Sequence, residues 1–126
     1  MSSTTDILIV EDELIVALDL KVTLLKFGYN VIGIITSGKK AIECIKQYHP
    51  DIVLMDVNLE DKINGIEVAR KVSPLHIPIL FITAQNDEYT INKIKKLSCK
   101  YIIKPFNREQ LKNVIISELN EERNCQ

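Results

Sequence analysis

The stretch Asp51-Ile52-Val53-Leu54-Met55-Asp56 decides the fold, because a short apolar run ends directly in an acid. Such a run is typical of a strand that is covered on both faces, as in a parallel sheet. An equally apolar run, Ile7–Val10, is followed by Glu11 and Asp12. The carboxyl ends of parallel strands meet at one edge of the sheet, where open α/β folds bind their ligands. We therefore expect these acids and Asp56 to lie close together.

Strand and helix patterns alternate along the chain. Short apolar runs predict five strands, at Ile7–Val10, Val31–Ile35, Ile52–Met55, Ile77–Ile82 and Tyr101–Ile103. Periodicity and capping residues predict five helices, at about Glu13–Phe27, Ala41–Tyr48, Ile66–Val72, Glu88–Leu97 and Asn107–Glu121. Strict βα alternation predicts an α/β fold, a parallel sheet with helices on both faces.

Apolar spacing predicts the inward face of several helices. In the first helix the stripe consists of Leu14, Leu18, Val22 and Leu25. In the second helix the apolar positions are Ala41, Ile42, Ile45 and Tyr48. The anchors of the last two helices are Ile91, Ile94 and Leu97, and then Leu111, Val114, Ile115 and Leu119.

Length and composition indicate one domain. The chain has 126 residues, of which 46% are apolar and 26% charged, with a net charge of -1. This balance gives no electrostatic case for nucleic-acid binding. No apolar stretch approaches the roughly 18 residues of a membrane span, and no signal-like segment begins the chain. We predict a single cytoplasmic domain over residues 1–126, with a core at about 6–120, a polar tail at 121–126, and no direct contact with nucleic acid or membrane.

The cysteines and histidines carry no recognisable site. Cys44, Cys99 and Cys125 are odd in number and far apart, which fits neither a disulfide framework nor a zinc site. We predict three free thiols. His49 and His76 stand alone beside turns and are predicted to face solvent.

The predicted sheet edge combines acids with a hydroxyl and a lysine. The fourth strand ends at Thr83 and the fifth at Lys104, while the acids follow strands one and three. Mg²⁺ takes oxygen ligands and pairs one or two carboxylates with phosphate oxygens. Such a cation, the lysine and the hydroxyl could neutralise one phosphoryl group, so that Asp56 could attack phosphorus and form an acyl phosphate. No general base is needed, because Asp56 is expected to be anionic at pH 7.

The same residues, in order, resemble the receiver domain of two-component response regulators. The matching motifs are Glu11-Asp12, Leu54-Met55-Asp56, Asn64-Gly65-Ile66-Glu67, Thr83-Ala84 and Tyr101-Ile102-Ile103-Lys104-Pro105-Phe106. They extend over residues 6–120. The resemblance implies a flavodoxin-like, five-stranded parallel sheet in the order 2-1-3-4-5.

The resemblance also implies a metal and a phosphoacceptor. Asp56 matches the phosphoacceptor, and Asp12 matches a direct ligand of Mg²⁺, with Mn²⁺ as a possible substitute. Glu11 matches the acid that acts through a metal-bound water. Asn58 matches the residue whose backbone carbonyl binds the metal.

Three further roles follow from the resemblance. Thr83 matches the switch hydroxyl that reaches the phosphoryl oxygen, and Tyr101 the switch aromatic that turns inward. Lys104 matches the phosphate-binding lysine. Its peptide bond to Pro105 is expected to be cis, as is usual in the family.

The implied function is phosphorelay signalling. A histidine kinase or phosphotransfer protein would supply the phosphoryl group in a Mg²⁺-dependent transfer to Asp56. The protein would catalyse only its own phosphorylation and dephosphorylation. The fourth helix, fifth strand and fifth helix would change on activation and contact a downstream protein or a second copy in a homodimer. Near them Lys93, Lys95, Lys96 and Lys100 form either a solvated face or a partner surface.

One loop departs from the common form of the family. Val57–Gly65 lacks the usual proline and is one residue longer. The residues two past Asp56 and two past Thr83 tune phosphoryl lifetime in the family, and here they are the uncharged Asn58 and Gln85.

Other interpretations stay open at this point. Glu11 and Asp12 could cap the first helix, and Tyr101 could be a packing residue. A degenerate receiver would bind partners without phosphorylation. A flavin-binding protein of this fold would need a phosphate loop where Glu11 to Glu13 stand, and these would repel phosphate. A haloacid dehalogenase-type phosphatase would need an Asp-x-Asp pair after strand one and a cap domain.

Overall fold

The protein folds around one parallel sheet. The structure is a computed structural model that describes residues 4–59, 61–84 and 86–124, with side chains described as far as residue 120. The strands are β1 (Asp6–Val10), β2 (Asn30–Ile35), β3 (Ile52–Met55), β4 (Ile79–Thr83) and β5 (Lys100–Ile103). All pair in parallel, in the order β2-β1-β3-β4-β5. The predicted fold class and strand order are confirmed.

Five helices connect and follow the strands. They are α1 (Leu14–Lys26), α2 (Gly38–Tyr48), α3 (Gly65–Val72), α4 (Glu88–Lys96) and α5 (Arg108–Asn124), with a short 3₁₀ turn at Ser73–Leu75. Helix α5 continues past its predicted end near Glu121 into the segment that we predicted as a polar tail. Among the described residues, no helix combines the length and the apolar character that crossing a bilayer requires.

Helices α2 to α5 each begin at a side-chain cap. A cap oxygen accepts one of the backbone N–H groups that lack a partner in the first turn. The caps are Ser37, Asn64, Asp87 and Asn107, and their bonds are 2.8 to 3.2 Å long. The predicted starts of α3, α4 and α5 lie within one residue of the observed ones, whereas α2 begins at Gly38, three residues before the predicted Ala41.

Each face of the sheet carries its own apolar core. Alternate strand residues point to opposite faces, so Leu8 and Val10 lie in one cluster and Ile7 and Ile9 in the other. Helices α2, α3 and α4 cover the first cluster, and α1 and α5 cover the second. The polar edge at the carboxyl ends of the strands is thereby held between two rigid layers.

The prediction for the buried face of α1 was wrong. The residues that pack on the sheet are Ala17, Leu20 and Leu24, all at most 5% exposed. The predicted stripe faces solvent instead, with Leu14 59%, Leu18 46%, Val22 48% and Leu25 49% exposed. The helix carries two apolar stripes, and periodicity alone does not say which one meets the sheet. Tyr48, one of the apolar positions that mark α2, is 63% exposed.

Both histidines lie just after a helix or turn, and both described cysteines are half-buried. His49 and His76 both adopt left-handed backbone, φ 47° and 56°, directly after a helix or turn, and both are exposed as predicted. Cys44 and Cys99 are half-buried free thiols, and burial raises the pKa of each. Cys125 lies outside the described residues.

Gly65 allows a close approach between α3 and the end of β3. A Cβ at this position would clash with the backbone carbonyl oxygen of Asp56 and press on Met55. We expect Gly65→Ala to destabilise the protein by about 1–3 kcal/mol in urea unfolding, because the backbone must shift to relieve the overlap. Gly33→Ala is the matched control, since its Cβ would meet only Leu8 Cδ1 at an ordinary 3.7 Å. Equal effects of the two substitutions would contradict this role of Gly65.

Candidate functional site

Three carboxylates converge at the carboxyl edge of the sheet. Strands β1 and β3 are neighbours, and the backbone N–H of Asp56 donates to the carbonyl of Val10 at 2.9 Å. Glu11, Asp12 and Asp56 each place an oxygen within 4.8 Å of the others. Glu11 and Asp56 are 2% and 8% exposed, whereas Asp12 faces solvent. The cluster is thus closed on one side and open on the other, which suits one bound cation.

Strand β5 brings a lysine into the same cluster. The backbone N–H of Lys104 donates to the carbonyl of Thr83 at 2.9 Å, which continues the β4–β5 pairing beyond Ile103. The Lys104–Pro105 peptide bond is cis, as the resemblance implied. Lys104 Nζ lies 3.1 Å from Glu11 Oε1, and both side chains are largely buried. The lysine is therefore positioned to neutralise anions at this edge.

Glu11 links the cluster to the start of α1. Its Oε2 accepts the backbone N–H of Glu13 at 3.2 Å, while its Oε1 accepts the bond from Lys104. Burial by itself raises the pKa of Glu11, but the bonds from Glu13, Asp56 and Lys104 outweigh burial and lower it. The bond from Glu13 reaches the residue just before α1 and none of the N–H groups of its first turn, so the capping role left open for Glu11 is not observed.

Asp56 loses its proton at a higher pH than an ordinary aspartate does. Burial first, and then the repulsion and shared hydrogen bond with Glu11, raise the pKa of Asp56 to about 7, against the opposing effect of Lys104 and the Asn58 N–H. Partial desolvation and Glu11 raise the pKa of Asp12 as well. The expectation that Asp56 is fully anionic at pH 7 was wrong for the metal-free protein, because burial and a neighbouring carboxylate hold its proton. A bound cation would favour the ionised form.

The loop between β3 and α3 is tied to a neighbouring helix. Asp61 accepts the backbone N–H groups of Gly38 and Lys39 at 2.9 and 3.1 Å, and these bonds lower its pKa. Closer to the site, the backbone N–H of Asn58 donates to Asp56 Oδ1 at 3.4 Å. We did not identify Asp61 from the sequence, because its partners are 22 and 23 residues away. The only signal in the sequence was an acid in this loop, because helix N-termini favour a nearby negative charge.

Thr83 and Tyr101 lie on neighbouring strands, where the resemblance puts a switch pair. Thr83 is fully buried at the end of β4, opposite Ile103, and Phe81 pairs with Tyr101 two residues earlier. Tyr101 is half-buried and packs on the cluster beneath α2, α3 and α4. The two side chains therefore lie on one face of the sheet. Gln85 is outside the described residues.

The basic residues near α4 do not form one free patch. Lys93 Nζ lies 4.3 Å from the centre of the Tyr89 ring. Lys100 Nζ donates to Ser117 Oγ at 2.7 Å and lies 3.8 Å from a Glu118 oxygen, so it joins β5 to α5. The exposed members of the cluster are Lys95 and Lys96.

Comparison with known proteins places these features in one family. The family model described as "Response regulator receiver domain" matches residues 7–116. The transcriptional regulatory protein PdtaR of Mycobacterium tuberculosis is 31% identical over 83% of this chain and 52% of its own length. The chemotaxis protein CheY of Thermotoga maritima is 32% identical over 79% of this chain and 85% of its own length.

A solved structure agrees with the sequence matches. The signal receiver domain of a modulated diguanylate cyclase from Desulfovibrio desulfuricans has a TM-score of 0.90 and 30% identity, covering 98% of this chain and 100% of that one. The chain spans about half the length of the regulator PdtaR.

Proposed function

Because the chain belongs to the response regulator receiver domain family, we propose that Asp56 accepts a phosphoryl group in a phosphorelay. Receiver domains are signalling modules of two-component systems and not classical enzymes. Family membership removes the flavodoxin and phosphatase alternatives. The observation that carries the proposal is the convergence of Glu11, Asp12, Asp56 and Lys104 at one edge of the sheet.

The donor set fits Mg²⁺, the metal of the family, and would also accept Mn²⁺. Hard divalent cations prefer oxygen ligands, and each of the three acids presents one within 4.8 Å of the others. We assign Asp12 and Asp56 as direct ligands together with the backbone carbonyl of Asn58, and Glu11 as a ligand through water. When bound, the cation would neutralise negative charge on the phosphoryl oxygens.

The protein's own residues position the phosphoryl transfer. One Asp56 carboxylate oxygen attacks phosphorus, an acyl phosphate bond forms, and the bond to the donor's histidine nitrogen breaks. Lys104 exchanges its contact with Glu11 for a phosphoryl oxygen. Hydrolysis of the acyl phosphate later restores Asp56, so the domain catalyses only its own phosphorylation and dephosphorylation.

The output surface consists of α4, β5 and α5. Phosphorylation adds charge and acceptor oxygens next to Thr83, whose hydroxyl follows them, and Tyr101 turns inward into the space released. The surface then contacts a downstream protein or a second copy. The cytoplasmic location, where a histidine kinase or phosphotransfer protein is available as donor, is part of this proposal.

Treatment with a small phosphodonor tests the function directly. We expect acetyl phosphate with Mg²⁺ to add one phosphoryl group, detected as intact mass, and EDTA to prevent the addition. Mn²⁺ should substitute for Mg²⁺. Full modification in EDTA would contradict the metal-dependent mechanism, and no modification under any condition would identify a degenerate receiver that only binds partners.

Lys104→Ala separates metal binding from switching. We expect the variant to bind Mg²⁺ but to lose most of the conformational response to phosphorylation, because the lysine ammonium no longer draws the end of β5 toward the phosphoryl group. NMR shifts of residues 88–103 on addition of beryllofluoride should occur in the wild type and in the control variant, but not in Lys104→Ala. The variant should also lose about 1–3 kcal/mol of stability, since buried Glu11 loses a partner. Lys46→Ala, at an exposed site on α2, is the control. An equal response in both variants would reject this role of Lys104.

A further inference from the structure

The loop between β3 and α3 is anchored on both sides of Asn58. Before Asn58, the carbonyl oxygen of Val57 accepts the backbone N–H of Gly65 at 2.8 Å. After it, the two carboxylate oxygens of Asp61 accept backbone N–H groups of α2 at 2.9 and 3.1 Å. The proposed function assigns the carbonyl of Asn58 to the metal. Because a backbone carbonyl is fixed in its peptide plane, it reaches the metal only if the loop holds that peptide in place.

The start of α2 has two N–H groups for Asp61 to accept. A helix leaves its first N–H groups without a partner inside the helix. The N-cap residue Ser37 accepts the N–H of Lys40 at 3.2 Å. The N–H groups of Gly38 and Lys39 remain, and these are the two that Asp61 accepts. The partial positive charge at a helix N-terminus also favours a carboxylate there. Asp61 therefore completes a cap that Ser37 leaves unfinished.

A glycine allows the loop to approach α2 closely. A Cβ on Gly38 would clash with the carbonyl oxygen of Ile63 and press on its side chain. Gly38 is buried, and Ile63 packs on the apolar cluster beneath α2, α3 and α4. The loop thus meets the first turn of α2 at two nearby positions, by hydrogen bonds from Asp61 and by backbone packing at Ile63.

We propose that Asp61 is a positioning residue of the metal site, which holds the loop so that the carbonyl of Asn58 faces the cation. This role rests on the proposed function, since it takes Asn58 as a metal ligand. Asp61 is outside the carboxylate cluster of Glu11, Asp12 and Asp56, and both of its oxygens are bound to α2. The loop lacks the proline that is common in the family and would restrict its backbone, and the contacts with α2 restrict it instead.

Titration with Mg²⁺, followed by the amide NMR shifts of Asp56 and Asn58, tests the role. We expect Asp61→Ala to raise the Kd for Mg²⁺ by about tenfold, the lower end of what losing an outer-shell partner costs. Asp61 is partly exposed, so the fold is expected to persist. Ser37→Ala is the matched control, because it removes the other side-chain cap of the same helix turn and should leave the Kd unchanged.

Asp61→Asn separates the hydrogen bonds from the charge. Asparagine and alanine both remove the negative charge, but the asparagine oxygen still accepts one of the two N–H bonds. We therefore expect the Kd of Asp61→Asn to lie between those of the wild type and Asp61→Ala. Equal Kd values for the two variants would show that Asp61 acts through its charge and not through the loop.

Hydrogen exchange measures the same coupling in the wild type, because linkage between two sites is reciprocal. If the attachment of the loop to α2 strengthens Mg²⁺ binding about tenfold, Mg²⁺ must favour the attached loop by the same factor. Exchange of the Gly38 and Lys39 amide protons should therefore slow by about tenfold at saturating Mg²⁺. The amide of Lys40, which Ser37 holds, is the internal reference and should change little.

The possible failures are distinguishable. A wild type that neither binds Mg²⁺ nor is modified by acetyl phosphate overturns the proposed function and the role of Asp61 with it. A wild type that does both, with an unchanged Kd in Asp61→Ala, overturns the role of Asp61 alone. Equal rises of the Kd in Asp61→Ala and Ser37→Ala also overturn it, because they assign the effect to the stability of α2.

Discussion

Asp56→Asn is expected to abolish phosphorylation by acetyl phosphate completely, leaving the intact mass unchanged at saturating Mg²⁺. The side-chain amide is a poor nucleophile and a weaker metal ligand than the carboxylate it replaces. The other acids of the cluster are poor substitutes. Glu11 is held by Lys104 and Glu13, and Asp12 is the exposed acid. Transfer to either would require breaking the arrangement that positions the phosphoryl group.

Two matched variants make this result specific. Asp12→Asn should slow the modification and shift its Mg²⁺ dependence to higher concentration without abolishing it. Asp51→Asn changes an exposed acid at the opposite end of β3, whose Oδ2 accepts the Asp6 N–H, and should be modified like the wild type. A phosphorylated Asp56→Asn protein would reject Asp56 as the phosphoacceptor.

The convergence of the three acids and Lys104 could be predicted from the sequence because these residues follow strands. Once alternation indicates a parallel sheet, the ends of β1, β3, β4 and β5 must share one edge, and the acids, Thr83 and Lys104 stand at those ends. The starts of α3, α4 and α5 were also predictable to within one residue, since Asn64, Asp87 and Asn107 act through bonds to the next few residues.

The predictions that failed concern features that depend on distances between residues in the folded protein. The two stripes of α1 are both apolar, and only contact with the sheet separates Leu20 and Leu24 from Leu18 and Val22. Asp61 reaches a helix start that is remote in sequence. The ionisation of Asp56 depends on burial and on its distance from Glu11, neither of which a linear pattern contains.

The same electrostatics predict that Asp56→Asn stabilises the metal-free protein at neutral pH and above. In the folded wild type the pKa of Asp56 is raised to about 7, whereas its ordinary value is 3.8. Between these values the folded state holds a proton that the unfolded state has lost. The stability of the wild type therefore falls as pH rises through this interval, and asparagine, which does not ionise, avoids the loss.

The magnitude follows from the same linkage. At about 1.4 kcal/mol for each pH unit between the two pKa values, the upper limit is about 4 kcal/mol. Lys104 and Glu11 redistribute charge around Asp56, so we expect a gain of about 2 kcal/mol at about pH 8 and almost none near pH 4. Urea unfolding in EDTA at a series of pH values measures it. Glu43→Gln, an exposed acid on α2, is the control.

Magnesium should reverse the order of stability. The cation binds the folded wild type through the carboxylates and stabilises it by mass action, while the variant has lost one of its ligands. Saturating Mg²⁺ should therefore raise the unfolding free energy of the wild type and affect Asp56→Asn much less. Two results together would contradict this account: a variant that is more stable by the same amount at both ends of the pH range, and an equal rise in the unfolding free energy of both proteins with Mg²⁺. Asp56 would then not share a site with Glu11 and Asp12, and the stabilisation would have a cause other than relief of charge repulsion.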